Sequence, residues 1–169
     1  MIMEPIITIA IQFLFAFLIS YAIVSDITRL LIPNWVSLCL VFLFCLYYAV
    51  TYPDISLAKS LSAMCIVFAL SAALFHFGLL GGGDVKLLTV LSLWAGPGHI
   101  AYFIVLVSVI GSFLGLLVIK SSYVSDYYPG IAEKNSVLTK LTEWRSRGIC
   151  PYGIAIGSAA LIVAPSFFA

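Results

Sequence analysis

Charged residues are so sparse in this chain that the intervals between them mark out its elements. Uncharged runs cover 5–25, 30–53, 60–83, 87–119 and 148–169, that is 21, 24, 24, 33 and 22 residues. About 20 apolar residues let a helix cross a hydrocarbon core of roughly 30 Å, so four of these runs each fit one crossing. The 87–119 run is too long for one, and Gly96-Pro97-Gly98 divides it into a short piece at 84–95 and a full span at 99–119. Long apolar stretches favour helices over a barrel, whose strands would be short and alternate in polarity. The pattern predicts an all-α integral membrane protein, one domain over 1–169, with six transmembrane helices at about 5–25, 35–52, 59–80, 84–95, 99–119 and 151–168. A loop at 120–150 joins the last two. Within it Val137, Leu138, Leu141 and Trp144 recur at helical spacing beside Lys134, Lys140, Arg145 and Arg147, predicting an amphipathic surface helix at 133–147.

Composition agrees. Hydrophobic residues make up 63% of the chain and charged residues 9%, with a mean hydropathy of +1.19. Disorder, a disulfide scaffold and a secreted globule are excluded, and a net charge of +1 argues against a nucleic-acid surface. The first run does not read as a signal peptide, because Glu4 precedes it without any Lys or Arg. Six crossings place Arg29, Lys86, Lys120, Lys134, Lys140, Arg145 and Arg147 on one side and Lys59 alone on the other. A re-entrant 84–95 would divide the cations two against six. The positive-inside bias therefore selects six crossings, both termini outside, and 26–34, 81–86 and 120–150 in the cytosol.

Four cysteines (Cys39, Cys45, Cys65 and Cys150) form no CxxC or Cys/His pattern, and they read as small packing residues. No metal and no cofactor are expected. Two acids stand out. Asp26 ends the first run and Asp84 follows Gly81-Gly82-Gly83, and the topology puts both at one membrane level. A charge at a helix centre costs roughly 2.5–3.5 kcal/mol on insertion scales, so such residues mark function. Facing each other across a wet pocket, two carboxylates share one proton. The ionised one can take a proton from water while the neutral one polarises a peptide carbonyl. Other roles stay open for the same residues. Asp26 can pair with Arg29, Asp84 can cap the next helix, and the glycines can be a helix terminus. The pair can also mark an ion path, making the protein a small transporter or proton channel, or a purely structural subunit. A transport path would carry polar groups through the midplane, where this chain has scattered Ser, Thr and His76.

Three segments resemble the prepilin peptidases (type IV leader peptidases), membrane aspartic peptidases of the GxGD class. They are Asp26-Ile-Thr-Arg-Leu-Leu-Ile-Pro-Asn34, Gly81-Gly82-Gly83-Asp84-Val-Lys86 and Pro151-Tyr-Gly153-Ile-Ala-Ile-Gly157. The resemblance implies that Asp26 and Asp84 are the catalytic pair. It implies an endopeptidase of a bacterial inner membrane that removes, at the cytosolic face, the basic leader preceding the hydrophobic N-terminal helix of a pilin precursor. Long members carry a cytosolic insertion with two CxxC pairs and methylate the new N-terminus. This chain has neither, so it resembles the short form of tight-adherence (Flp-type) systems or an archaeal-type preflagellin peptidase, the former favoured by the Ile-Pro-Asn and Pro-Tyr-Gly segments, without methyltransferase activity. In that frame Gly81, Gly82 and Gly83 are expected to leave the helix and lie against the substrate backbone. Lys86 is read as a snorkelling anchor that would modulate the Asp84 pKa if it came within about 4–6 Å. Pro33 and Asn34 are read as stop and cap, Trp35 as an interfacial anchor, and His76 as a packing group. Pro151 and Gly153 are read as structural, with Gly153 and Gly157 forming a GxxxG contact.

Overall fold

The computed structural model describes residues 3–51, 56–127, 136–146, 148 and 150–168, with the side chains of 3–5 and 122–126 excepted. Asp54, Glu133, Lys134 and Arg147 therefore lie outside the described residues. Those described are helical apart from short connections: α1 Met3–Arg29, α2 Asn34–Thr51, α3 Leu57–His76, α4 Gly82–Tyr127, α5 Ser136–Ser146 and α6 Tyr152–Phe167. Four helices are long and apolar enough to cross a membrane, and α6 is a shorter apolar helix. α4 is two helices in sequence, broken at Gly96, whose φ of 55° and ψ of −176° are non-helical and which precedes Pro97. The Gly-Pro-Gly break thus falls where the sequence put it.

Contacts give the direction of each segment. Phe168, at the end of α6, meets Phe15, Tyr47 and Trp94, while Gly96 lies beside Ser60 at the start of α3. Beyond the break α4 returns. Phe103 faces Phe167, Gly111 packs on Tyr152, and the Ile119 carbonyl accepts from Arg145 Nη1 at 2.7 Å. The part of α4 after Gly96 therefore runs back along the bundle toward the end from which α4 set out. The α1–α2 and α3–α4 connections and the start of α6 gather at one end.

The first part of α4 is the centre. Leu87, Leu91 and Ser92 are fully enclosed, and Trp94 sits among Phe15, Phe44 and Tyr47 with its Nε1 donating to the Leu40 carbonyl at 3.2 Å. A helix apolar on all sides belongs in such a core, and the indole N–H finds the partner that burial demands. The outer surface is also apolar: Phe13, Phe17, Phe42, Leu70 and Phe113 are exposed, as expected of chain facing lipid. Cys39, Cys45 and Cys65 lie on that outer surface, not between helices, and His76 is exposed against Phe77. Trp35 is partly exposed and packs on Tyr21.

Three boundaries differ from expectation, the first being α1, which runs on to Arg29 into the expected 26–34 loop. The 59–80 helix stops at His76, because Gly78 takes a φ of 70° and closes a Schellman turn. Gly78 N–H donates to the Phe75 carbonyl and Leu79 N–H to the Leu74 carbonyl, both at 2.9 Å. Helix α4 runs on through 120–127, within the expected 120–150 loop. Lys120 ends the apolar run there, but a charge does not interrupt backbone hydrogen bonding. The amphipathic helix is present as Ser136–Ser146, docked by the buried Trp144.

Candidate active site

Helix α1 delivers Asp26 in its last turn, where the Asp26 carbonyl accepts the Leu30 N–H at 2.9 Å. Leu30 then turns the chain with a φ of 52°, a left-handed conformation that costs a non-glycine residue about 1–2 kcal/mol. Ser25 Oγ holds the turn by donating to the Leu31 carbonyl at 2.8 Å. Asp84 enters from the other side, in the first turn of α4. Gly81 is the N-cap residue there: its carbonyl accepts the Val85 N–H at 3.1 Å, and its N–H donates to Asp84 Oδ2 at 3.2 Å. This is the backbone half of a capping box, in which an acid three residues into the helix satisfies the cap amide.

Both carboxylates are buried, with Asp26 5% and Asp84 9% exposed, and both line one cavity of about 320 Å³. Leu30, Leu31, Ile32, Asn34, Gly81 to Gly83 and Lys86 complete its wall. Arg29 is exposed and does not pair with Asp26. Lys86 Nζ donates to Asn34 Oδ1 at 2.8 Å, tying α4 to the start of α2 at the cavity rim. Asn34 therefore spends its side chain on Lys86 instead of on its own helix terminus.

The start of α6 forms the third wall. Gly153 and Ile154 bring their amides toward the Asp26 carboxylate, yet Oδ2 is buried with no hydrogen-bond partner. A methyl group at Gly153 would stand 2.7 Å from Asp26 Oδ2 and 2.9 Å from its Cγ. Only hydrogen fits. One turn on, Gly157 faces Ile23 and Ile19, so the two glycines seat α6 on α1. Pro151, fully enclosed, precedes the helix and takes the N-cap position.

The motif glycines differ from expectation. Gly81 alone lies outside the helix; Gly82 and Gly83 are its first two residues, so their amides do not form an extended edge. The one positive φ in this region is at Gly78. Gly83 is instead a packing slot, where a methyl would stand 3.2 Å from Ile32 Cβ. Ile32 and the Gly153–Asp26 contact escaped the sequence reading. The Ile-Pro-Asn and Pro-Tyr-Gly segments drew attention to their neighbourhoods but not to these contacts.

Cys150, half-buried just before α6, reports on the pair. Burial pushes its thiol pKa up, and the negative charges of Asp26 and Asp84 add to the rise. Less thiolate is then present near neutral pH, so alkylation by iodoacetamide is expected to be slower than for an ordinary exposed thiol. Asp26→Asn combined with Asp84→Asn should speed it by removing the negative charge of the pair. An unchanged rate would place Cys150 beyond the field of the pair.

The site is thus two buried acids on separate helices, in one cavity at one end of an apolar bundle. The type IV leader peptidase family profile matches residues 13–116, which include both aspartates and exclude α6. The chain belongs to the type IV leader peptidase family, and it is accordingly a membrane-embedded peptidase. No curated protein and no solved structure matches it.

Proposed function

We propose that this protein is an aspartic endopeptidase in which Asp26 and Asp84 together hydrolyse the bond between leader and mature chain of a pilin precursor, of the Flp type. The observation that carries the reading is the shared cavity: two acids distant in sequence, each costly to bury, open onto the same space. Water held between them would lose a proton to the ionised carboxylate as its oxygen attacks the scissile carbonyl. The neutral carboxyl would donate its proton to that carbonyl oxygen. Collapse of the tetrahedral species then returns a proton to the leaving amine, so the pair ends as it began. The two acids titrate as a unit, so the roles are assigned to the pair.

Six crossings with the aspartates at the cytosolic face of a bacterial inner membrane suit this substrate. A single-span precursor with a basic cytosolic leader would bring its scissile bond to that depth, and membrane confinement supplies much of the orientation. The transport reading gains less support. Among the described residues, Ser71 and Ser92 in the bundle interior donate back to their own helices, at 2.7 Å each, and do not continue a polar path.

The test is incubation of purified protein in lipid with a candidate precursor, followed by mass analysis of the new N-terminus. A single cut after the basic leader, without added methyl mass, is expected. An intact precursor would overturn the reading. Chelation with EDTA is expected to leave the rate unchanged, since the step needs carboxylates and water. A loss that added metal restores would contradict it.

A further inference from the structure

We propose that Ile32 is a positioning residue, the spacer that fixes the separation of the Asp26 and Asp84 carboxylates. It deepens the peptidase reading, on which it rests only for its effect on turnover. Ile32 lies on neither aspartate's helix but in the non-helical connection between α1 and α2, and it is 6% exposed. One end of its side chain fills the slot at Gly83, where a methyl would stand 3.2 Å from Ile32 Cβ and 3.7 Å from Cγ1. The other end fills the slot at Gly153, where a methyl would stand 2.9 Å from Ile32 Cδ1. Gly83 is bonded to Asp84, and Gly153 lies against the Asp26 carboxylate. The one side chain therefore spans from the helix carrying Asp84 to the contact that seats Asp26.

Three features keep this spacer from yielding. A β-branched residue has few χ1 choices, so the direction in which its side chain leaves Cβ is nearly fixed. Pro33 restricts the backbone that follows. The connection is tied on both sides, by Ser25 Oγ to the Leu31 carbonyl and by Lys86 Nζ to Asn34 Oδ1, each at 2.8 Å. Truncating Ile32 leaves a gap between α4 and α6 at the level of the acids. Packed surroundings collapse partly into such a gap, which moves one carboxylate relative to the other.

Displacement of a reacting group by about 1 Å can cost about 10²-fold in rate. Ile32→Ala is accordingly expected to lower kcat by about 10- to 100-fold per folded molecule, with KM changed less than about twofold. The two glycines separate spacing from simple packing. A methyl at Gly83 would meet Ile32 first at Cβ, 3.2 Å away, an atom that alanine keeps, so adding Ile32→Ala to Gly83→Ala should not restore it. Gly153→Ala also meets Asp26 itself, so adding Ile32→Ala should not restore it. Rescue at either glycine by Ile32→Ala, or activity that merely follows the folded fraction, would overturn the proposal.

A second readout needs no turnover. With Cys39, Cys45, Cys65 and Cys150 changed to Ser, Asp26→Cys and Asp84→Cys can be joined by bis-maleimides of graded length. Ile32→Ala should shift the length that cross-links fastest. An unshifted optimum defeats the spacer whatever the cleavage assay shows. A shifted optimum in a protein whose wild type never cuts a precursor leaves the spacer standing and defeats the peptidase reading.

Discussion

Asp26→Asn and Asp84→Asn should each lower the single-turnover rate of leader removal by about 10³-fold or more, within the range that acid–base groups supply. Amide and carboxyl groups are nearly the same size, so neither change disturbs packing around the cavity. In Asp84→Asn the side-chain amide would still offer an oxygen to the Gly81 N–H, which donates to Asp84 Oδ2 at 3.2 Å, so the start of α4 should hold. What is lost is proton transfer, because an amide neither takes a proton from water nor gives one to a leaving amine. Membrane insertion and yield should match wild type. A variant that inserts normally and still cuts at a tenth of the wild-type rate would remove that residue from the chemistry.

Gly153→Val should have the second largest effect, a fall of about 10²-fold or more in kcat. Even a single methyl at this position would reach 2.7 Å from Asp26 Oδ2 and 2.9 Å from Ile32 Cδ1, and valine adds two further carbons. Relief requires α6 to withdraw or Asp26 to turn, and either ruins the pair. Gly157→Ala is the comparison. Its methyl would stand 2.5 Å from Ile23 Cγ1 and 3.4 Å from Ile19 Cγ2, apolar contacts that do not include the carboxylate. Overpacking there should cost about 1–3 kcal/mol of stability while leaving kcat per folded molecule near wild type. Detergent melting and kcat measured on both variants separate the cases. Equal loss of kcat would make both glycines simple packing positions.

The contrast between these residues shows what the sequence alone makes legible. Asp26 and Asp84 stand out because an acid in a chain this apolar is costly, so its position alone carries information. The break at Gly96 was legible for a similar reason, since Pro97 removes a backbone donor inside a run too long for one crossing. The glycine-rich stretch from 78 to 83 was not. Four glycines can all adopt positive φ, and only the Schellman closure shows that Gly78 does so while Gly82 and Gly83 stay helical. The run of helix past Lys120 was hidden because hydropathy reports burial in lipid, whereas helix continuation depends on backbone hydrogen bonds. Ile32 was hidden more deeply. Nothing in an isoleucine among leucines indicates contact with Gly83 and Gly153, which lie about 50 and 120 positions away.

That the two acids act as one unit within one cavity is the claim on which the rest depends. The most direct test is single-turnover cleavage of one precursor by four enzymes in lipid: wild type, Asp26→Asn, Asp84→Asn and the double variant. Groups that act together are strongly non-additive, so removing the second after the first should cost almost nothing further. The predicted result is two single variants and a double variant sharing the same residual rate, about 10³-fold or more below wild type. Two modest losses that multiply in the double variant, or one single variant that cleaves at the wild-type rate, would contradict it.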